Sequence, residues 1–234
     1  MTALLTLLDA NLTLHKRAAR ALEKAVEQQR FLLRPDYVVN EHLFFQAYIA
    51  LREVEVQELR LLHETALLSQ LLKREEAARK KEEKLEKTFK AQEEGDGEQA
   101  AIVSKKDLKK QEKMVNKDRK LIREGAGRIV EVFLAQHEAM LNASRLFKGI
   151  DPAFVLVYPR ADRKILKVYA RAGGSRHRLH KQISEEVQLA RPLHLARHLE
   201  KHRSKMRHHM TNLSHARRDF TAFIHRHLPM IGAL

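Results

Sequence analysis

The chain contains no cysteine and no tryptophan, and its 234 residues include only eight glycines and five prolines. Absence of cysteine excludes disulfide frameworks, iron–sulfur clusters, thiolate zinc sites and cysteine nucleophiles together. Scarce glycine and proline leave few places to turn, and aromatic residues make up only 6%. A β-sandwich or a doubly wound sheet needs more turns and more β-branched residues than that. Long apolar runs are missing too. The longest covers residues 153–158, far below the roughly 20 that a membrane-spanning helix requires. The apolar start at residues 3–8 has no Lys or Arg before it and no small-residue cleavage site behind it. A secretory peptide is therefore not expected. These absences point to a soluble, cytoplasmic chain, at most peripheral to a membrane.

What is present in quantity is Ala, Leu, Glu, Lys, Arg and Gln, the strong helix formers. The expected fold class is all-α: an elongated antiparallel helical hairpin, coiled-coil-like, packed with an N-terminal helix and long basic C-terminal helices. The first helix carries a heptad seam at Leu5, Leu8, Leu12, Ala19, Leu22 and Val26, with His15 in the gap. Pro35 and Asp36 end it and open the next helix. That second seam runs Phe44, Ala47, Leu51, Val54, Glu58, Leu61, Thr65, Leu68, Leu72. A further row, Tyr48, Leu59, Leu62 and Ala66, widens the stripe and predicts more than one partner helix. Glu58 sits on the seam itself and calls for a partner such as an arginine from another helix. It belongs to a carboxylate group with Glu53, Glu55 and Glu64 beside His63, read here as structural rather than catalytic.

Beyond Leu72 large apolar residues nearly vanish, leaving Leu85 and Phe89 in a charged stretch that i,i+4 ion pairs can keep helical. Residues 94–97, Glu-Gly-Asp-Gly, form the best turn in the chain. The third helix follows with Leu108, Val115, Ile122, Ile129, Val132, Ala139, Ala143 and Leu146, interrupted by Gln111, Asp118, Gly125 and Gln136. Folding back at this turn pairs positions whose numbers sum to about 192. Leu72 then lies near Lys120 and Leu121, Leu61 near Glu131 and Val132, Ala47 near Arg145 and Leu146. Both arms are charged near the turn and apolar far from it, so a hairpin of about 50 residues per arm, on the order of 75 Å long, accounts for both gradients. Its tip is expected to project from the body. The pair Gly125 and Gly127 reads as a close helix crossing.

Three segments result: a bundle with its hairpin arm over 1–148, a connector over 149–174, and a basic segment over 175–234. The connector admits two strands, at 154–158 and 164–169, or short helices begun by Asp151-Pro152 and Asp162 and stopped by Gly173-Gly174. Helices are favoured, since nothing else in the chain offers a sheet to extend. Pro192 is expected to kink or divide the last helical stretch, and the apolar end at 228–234 to tuck against the bundle.

Net charge is +15, and it is unevenly placed. Residues 1–159 hold 28 Lys and Arg against 25 Asp and Glu, whereas residues 160–234 hold 17 against 5, with ten of the fourteen histidines. Helices so enriched in one sign repel themselves unless an anion meets them. The residues assigned to that surface are Arg176, Arg178, Lys181, Arg191, Arg197, Lys201, Arg203, Lys205, Arg207, Arg217 and Arg218, and arginine suits bidentate phosphate contacts. No helix-turn-helix spacing or RNP-like aromatic pattern accompanies them, so nucleic acid would be held by backbone and shape rather than sequence.

No H-E-x-x-H, phosphate loop, nucleophile elbow or kinase motif is present, and no cofactor is expected. His194, His198 and His202 stand at i, i+4, i+8, a weak metal candidate and otherwise a pH-responsive polar face. The expectation is a non-enzymatic protein that binds a polyanion, most simply RNA or DNA, through its C-terminal helices, with the hairpin as an assembly arm. Rival readings are an acidic membrane surface met by a curved, BAR-like scaffold, and a structural subunit docking an acidic protein. Heptad seams also favour a homo-oligomer or a helical protein partner.

Overall fold

A computed structural model describes residues 3–27, 41–93, 103–152 and 154–227. They form six helices: α1 (Ala3–Glu27), α2 (Glu41–Glu93), α3 (Lys105–Ile150), α4 (Pro159–Arg171), α5 (Arg176–Leu189) and α6 (Pro192–His227), with no strand among the described residues. The fold is all-α. Helices α2 and α3 make the antiparallel hairpin, α6 lies along α1 and α2, α5 along α3, and α4 against α1. The Pro35-Asp36 break, the 94–97 turn and the 228–234 end fall outside the described residues.

The hairpin register follows the expected pairing. Arg74 grips buried Asp118 through Nε, at 3.0 Å, and Nη2. Arg128 reaches Glu64 at 2.8 Å, Arg119 reaches Glu75 at 3.4 Å, and Gln111 donates to the Ala78 carbonyl at 2.9 Å. A capping box between Ser104 and Asp107 starts α3, satisfying two of its free donors. Every seam position of α2 from Phe44 to Leu72 is buried.

On α3 three seam positions beyond Ile129 fall one residue later than their spacing had implied, while Ala143 is buried as expected. Phe133, Met140 and Phe147 are buried, while Val132, Ala139 and Leu146 are only half-buried. The steps 129, 133, 136, 140, 143, 147, 150 keep the four–three alternation that a straight reading from Ile122 requires. On α1 the expected Leu5 and Val26 are half-buried, and Leu4, Leu7, Leu14, Ala18 and Ala25 are buried. Helix α1 packs against both α4 and α6, so apolar residues on more than one face go inside. Helix α2 also meets two partners, and α6 takes the edge carrying Glu55, Ser69 and Lys73. Of the further row, Tyr48 and Leu59 stay exposed, while Leu62 and Ala66 are half-buried and Leu62 packs against the core.

A polar layer divides the core. One apolar cluster gathers Leu4 to Leu14, Leu61 to Leu72 and Ile122 to Phe133; the other gathers Ala18 to Ala25, Phe44 to Val54 and Met140 to Ile150. Between them lie Asn11, His15, Glu58 and Gln136, all buried. His15 Nδ1 pairs with the Glu58 carboxylate, Gln136 Nε2 stands 3.0 Å from His15 Nε2, and Asn11 Nδ2 donates to Gln136 Oε1. Glu58 thus finds a histidine on α1, not an arginine. Three helices are locked at one level, because sliding any of them would strand a buried polar group.

The connector takes helical form only in part. Residues 154–158 run irregularly, and Phe147 stacks on Phe154 at 4.5 Å while meeting Phe220 edge-on at 5.4 Å. Pro159 opens α4, and Gly173 and Gly174 close it at φ of 68° and 66°, which a side chain would resist. Gly127 lets α5 approach α3, since a β-carbon there would strike the His180 ring. Pro192 divides the last stretch into α5 and α6 rather than bending one helix.

Candidate nucleic-acid interface

Helices α5 and α6 bury one side each and turn the other outward. On α6 the inward row is Leu195, Leu199, His202, Met206, Leu213 and Phe220. At 100° per residue, Arg197 and Lys201 stand on the opposite face, and Lys205, rotated about 80° from Arg197, lies at its exposed edge. His208, His215 and Arg218 continue that outward face.

Of the eleven cations assigned from sequence, nine are exposed: Arg176, Arg178, Lys181, Arg191, Arg197, Lys201, Lys205, Arg207 and Arg218. Arg203 is half-buried. Arg217 does not belong to the surface. It is buried, with Nη2 2.8 Å from Glu55 Oε1 on α2, and serves the bundle. Position 217 lies eleven residues beyond Met206, three helical turns along the inward row. Three of the exposed cations already face an acid: Arg176 with Glu138 at 3.3 Å, Arg218 with Asp219 at 3.7 Å, Lys181 with Glu185 at 4.0 Å. Arg178, Arg191, Arg197, Lys201, Lys205 and Arg207 have no ion-pair partner among the described residues.

At the α5–α6 corner the surface becomes concave. A groove of about 1100 Å³ runs between this corner and the hairpin. Leu72, Ile122 and Val187, all buried, stand behind it. Leu189 and Leu193 line its open side, Leu189 almost fully exposed. Arg191 and Arg197 enter it from the corner and Arg123 from α3. The two acids lining it, Glu75 and Glu76, are met by Arg119 at 3.4 Å and by Arg79 at 3.1 Å and Lys80 at 3.7 Å. Three arginines from two separate stretches of chain are left facing one space, with charge to offer an anion. Arg123 was absent from the sequence assignment. It lies in the near-neutral part of the chain, and only the packing of α5 on α3 brings it to the basic segment.

The histidine row does not hold together. His194 and His198 touch, Nε2 to Nε2 at 3.3 Å, on the exposed side of α6. His202 turns inward, its Nε2 3.1 Å from the Leu8 carbonyl oxygen. Eight residues rotate about 80° beyond two full turns, enough to carry the third ring from the solvent side to the α1 side. Burial pushes the His202 imidazole down to about 4, against the small upward pull of the Leu8 hydrogen bond and Asp9. Half-burial lowers His209 in the same direction. No group of three or more His, Cys, Asp or Glu able to hold a metal ion occurs among the described residues. No helix among them is long and apolar enough to cross a membrane.

Comparison of the chain with protein-family models, with characterised proteins and with solved structures yields no match.

Proposed function

We propose that this protein is a non-enzymatic nucleic-acid-binding protein that holds RNA or DNA by its phosphates, with little sequence preference, across the outward face of α5 and α6. The observation that carries the reading is the set of six exposed cations without a carboxylate partner on these two helices and the break between them. Neutralising phosphates with such residues releases condensed counterions, a driving force independent of base sequence. The corner groove adds a place where a backbone phosphate meets Arg123, Arg191 and Arg197 together while a base lies on Leu189 or Leu193. Helix α6 is about 50 Å long, room for its outward row to follow a strand over several phosphates. The part of the hairpin beyond the groove then acts as an arm for assembly.

Filter binding of structured RNA and of duplex DNA across a salt series tests this. Log affinity should fall linearly with log salt, with a slope near −0.7 to −0.9 per phosphate engaged, about −4 to −5 for six contacts. Replacing Lys201, Lys205 and Arg207 by Glu should flatten the slope by about 2 to 3 and weaken all sequences alike. Charge reversal at Lys84 and Lys87 on the arm should leave binding unchanged. Absence of binding at about 50 mM salt, or binding without a salt slope, overturns the reading. Sedimentation with anionic vesicles but not with nucleic acid would assign the surface to lipid headgroups instead.

A further inference from the structure

The side of α2 turned away from α3 and α6 carries an apolar stripe of its own. Nine large apolar side chains are exposed among the described residues, and four of them, Tyr48, Ile49, Val56 and Leu59, lie within about three turns of α2. The other five are scattered over α3, the connector, α4 and the α5–α6 corner. A concentration of this kind on one helix face is the mark of an interaction surface.

The spacing says what fits there. Phe45, Ile49, Arg52, Val56, Leu59 and His63 follow one another by four, three, four, three and four residues, a second heptad seam on the face opposite the buried one. Such a seam takes another helix of the same period. Glu53 and Arg60 flank it along one edge, seven residues apart and both exposed; neither has an ion pair among the described residues, and Glu53 accepts a hydrogen bond from Gln57 Nε2 at 2.6 Å. When two copies of α2 run antiparallel about a point between residues 57 and 58, Val56 of each faces Leu59 of the other. Glu53 of each then faces Arg60 of the other. The edge is therefore complementary to itself, as a two-fold interface demands. A parallel pairing would instead bring Arg60 to Glu55, which Arg217 and Arg52 already hold at 2.8 Å each.

We infer that the outer face of α2 docks a second copy of this chain, antiparallel, with Val56 and Leu59 at the centre and reciprocal Glu53–Arg60 pairs at the edge. The inference is independent of nucleic-acid binding. The strip over residues 45–66 is about 32 Å long and one helix wide, so it buries roughly 1,000 to 1,200 Å² in total, the low end for specific interfaces. A weak, concentration-dependent dimer is the consequence.

Sedimentation velocity on the full chain tests it, run from about 1 to about 100 µM without nucleic acid, a range that brackets the dissociation constants expected of small interfaces. The 27.2 kDa monomer should give way to a species of twice that mass. Glu53→Arg and Arg60→Glu should each raise the dissociation constant about tenfold, and the double charge swap should bring it back to within about threefold. Val56→Glu should abolish the dimer while circular dichroism stays unchanged, since the side chain is not part of the bundle core. A chain that stays monomeric at the highest concentration overturns the inference. So does a dimer indifferent to Glu53→Arg and Val56→Glu, or a double swap no better than its parents.

Discussion

Two stretches of the same hairpin are held in different ways. From Phe44 to Leu72, α2 buries a continuous seam against α3 and α6, and the polar layer at His15, Glu58 and Gln136 fixes its level. From Ala77 to its end α2 has no buried residue among those described, and on α3 between Lys105 and Met114 only Gln111 is buried. Regular helix continues through both stretches, so backbone geometry says nothing of how firmly each is anchored. In the body, apolar burial contributes about 2 to 3 kcal/mol per large side chain. In the arm, exposed ion pairs such as Arg79 with Glu83 contribute at most about 1 kcal/mol each. The arm should therefore open locally without the body unfolding.

The sharpest way to break this comparison is to remove one member of the polar layer. Glu58→Ala leaves His15 buried without its carboxylate, and urea denaturation should show a loss of about 3 to 5 kcal/mol. Glu83→Ala in the arm should fall within about 0.5 kcal/mol of the parent. Equal effects would mean that the layer is not what holds the body.

Acid separates the two stretches next. His202 has a folded pKa of about 4 against 6.5 for an ordinary imidazole, because burial penalises its charge. Between those values the unfolded chain takes up a proton that the folded chain refuses, so stability is intact above pH 6.5 and is lost as pH falls towards 4. At pH 5 the loss should be about 2 kcal/mol, or a melting temperature lower by about 4 to 8 °C. His202→Met should remove that part of the slope. Residues 77–114 contain no histidine, and Glu82 there, its carboxyl pKa raised by burial and by Glu86, favours the folded arm as pH falls. Amide protection factors within the arm should therefore not decrease between pH 6.5 and 5.

The smallest effect concerns apolar residues of the arm itself. Leu85→Ala truncates a side chain that is only half-buried, and it should cost less than about 1 kcal/mol, against about 2 to 5 for Leu61→Ala in the body. Hydrogen exchange should show the first change confined to the arm and the second spread through the whole bundle.

Much of this contrast was legible along the chain. The drop in apolar residues after Leu72, the nine-position seam of α2 and the pairing of Arg74 with Asp118 all follow from periodicity and one turn. Glu58 on a seam and His15 in the gap of another both signalled a buried polar contact. That they meet each other was not legible, because the pairing depends on which end of α1 lies beside α2. The one-residue slip on α3 had a local cause: Val132, Ala139 and Leu146 are as apolar as their neighbours Phe133, Met140 and Phe147, so composition does not choose between two adjacent rows. The histidine row failed for a geometric reason, the drift of an i,i+4,i+8 line around α6.

By itself the sequence determined the helices, the hairpin with its register, and the concentration of positive charge in the last third, because these rest on local propensity, spacing and counts. Only the tertiary structure decided which charges remain outside. It sent Arg217 and His202 into the bundle, and it brought Arg123, distant in sequence, to the corner of α5 and α6. Burial and partner choice depend on contacts between segments 60 or more residues apart, and a linear pattern carries no coordinate for those.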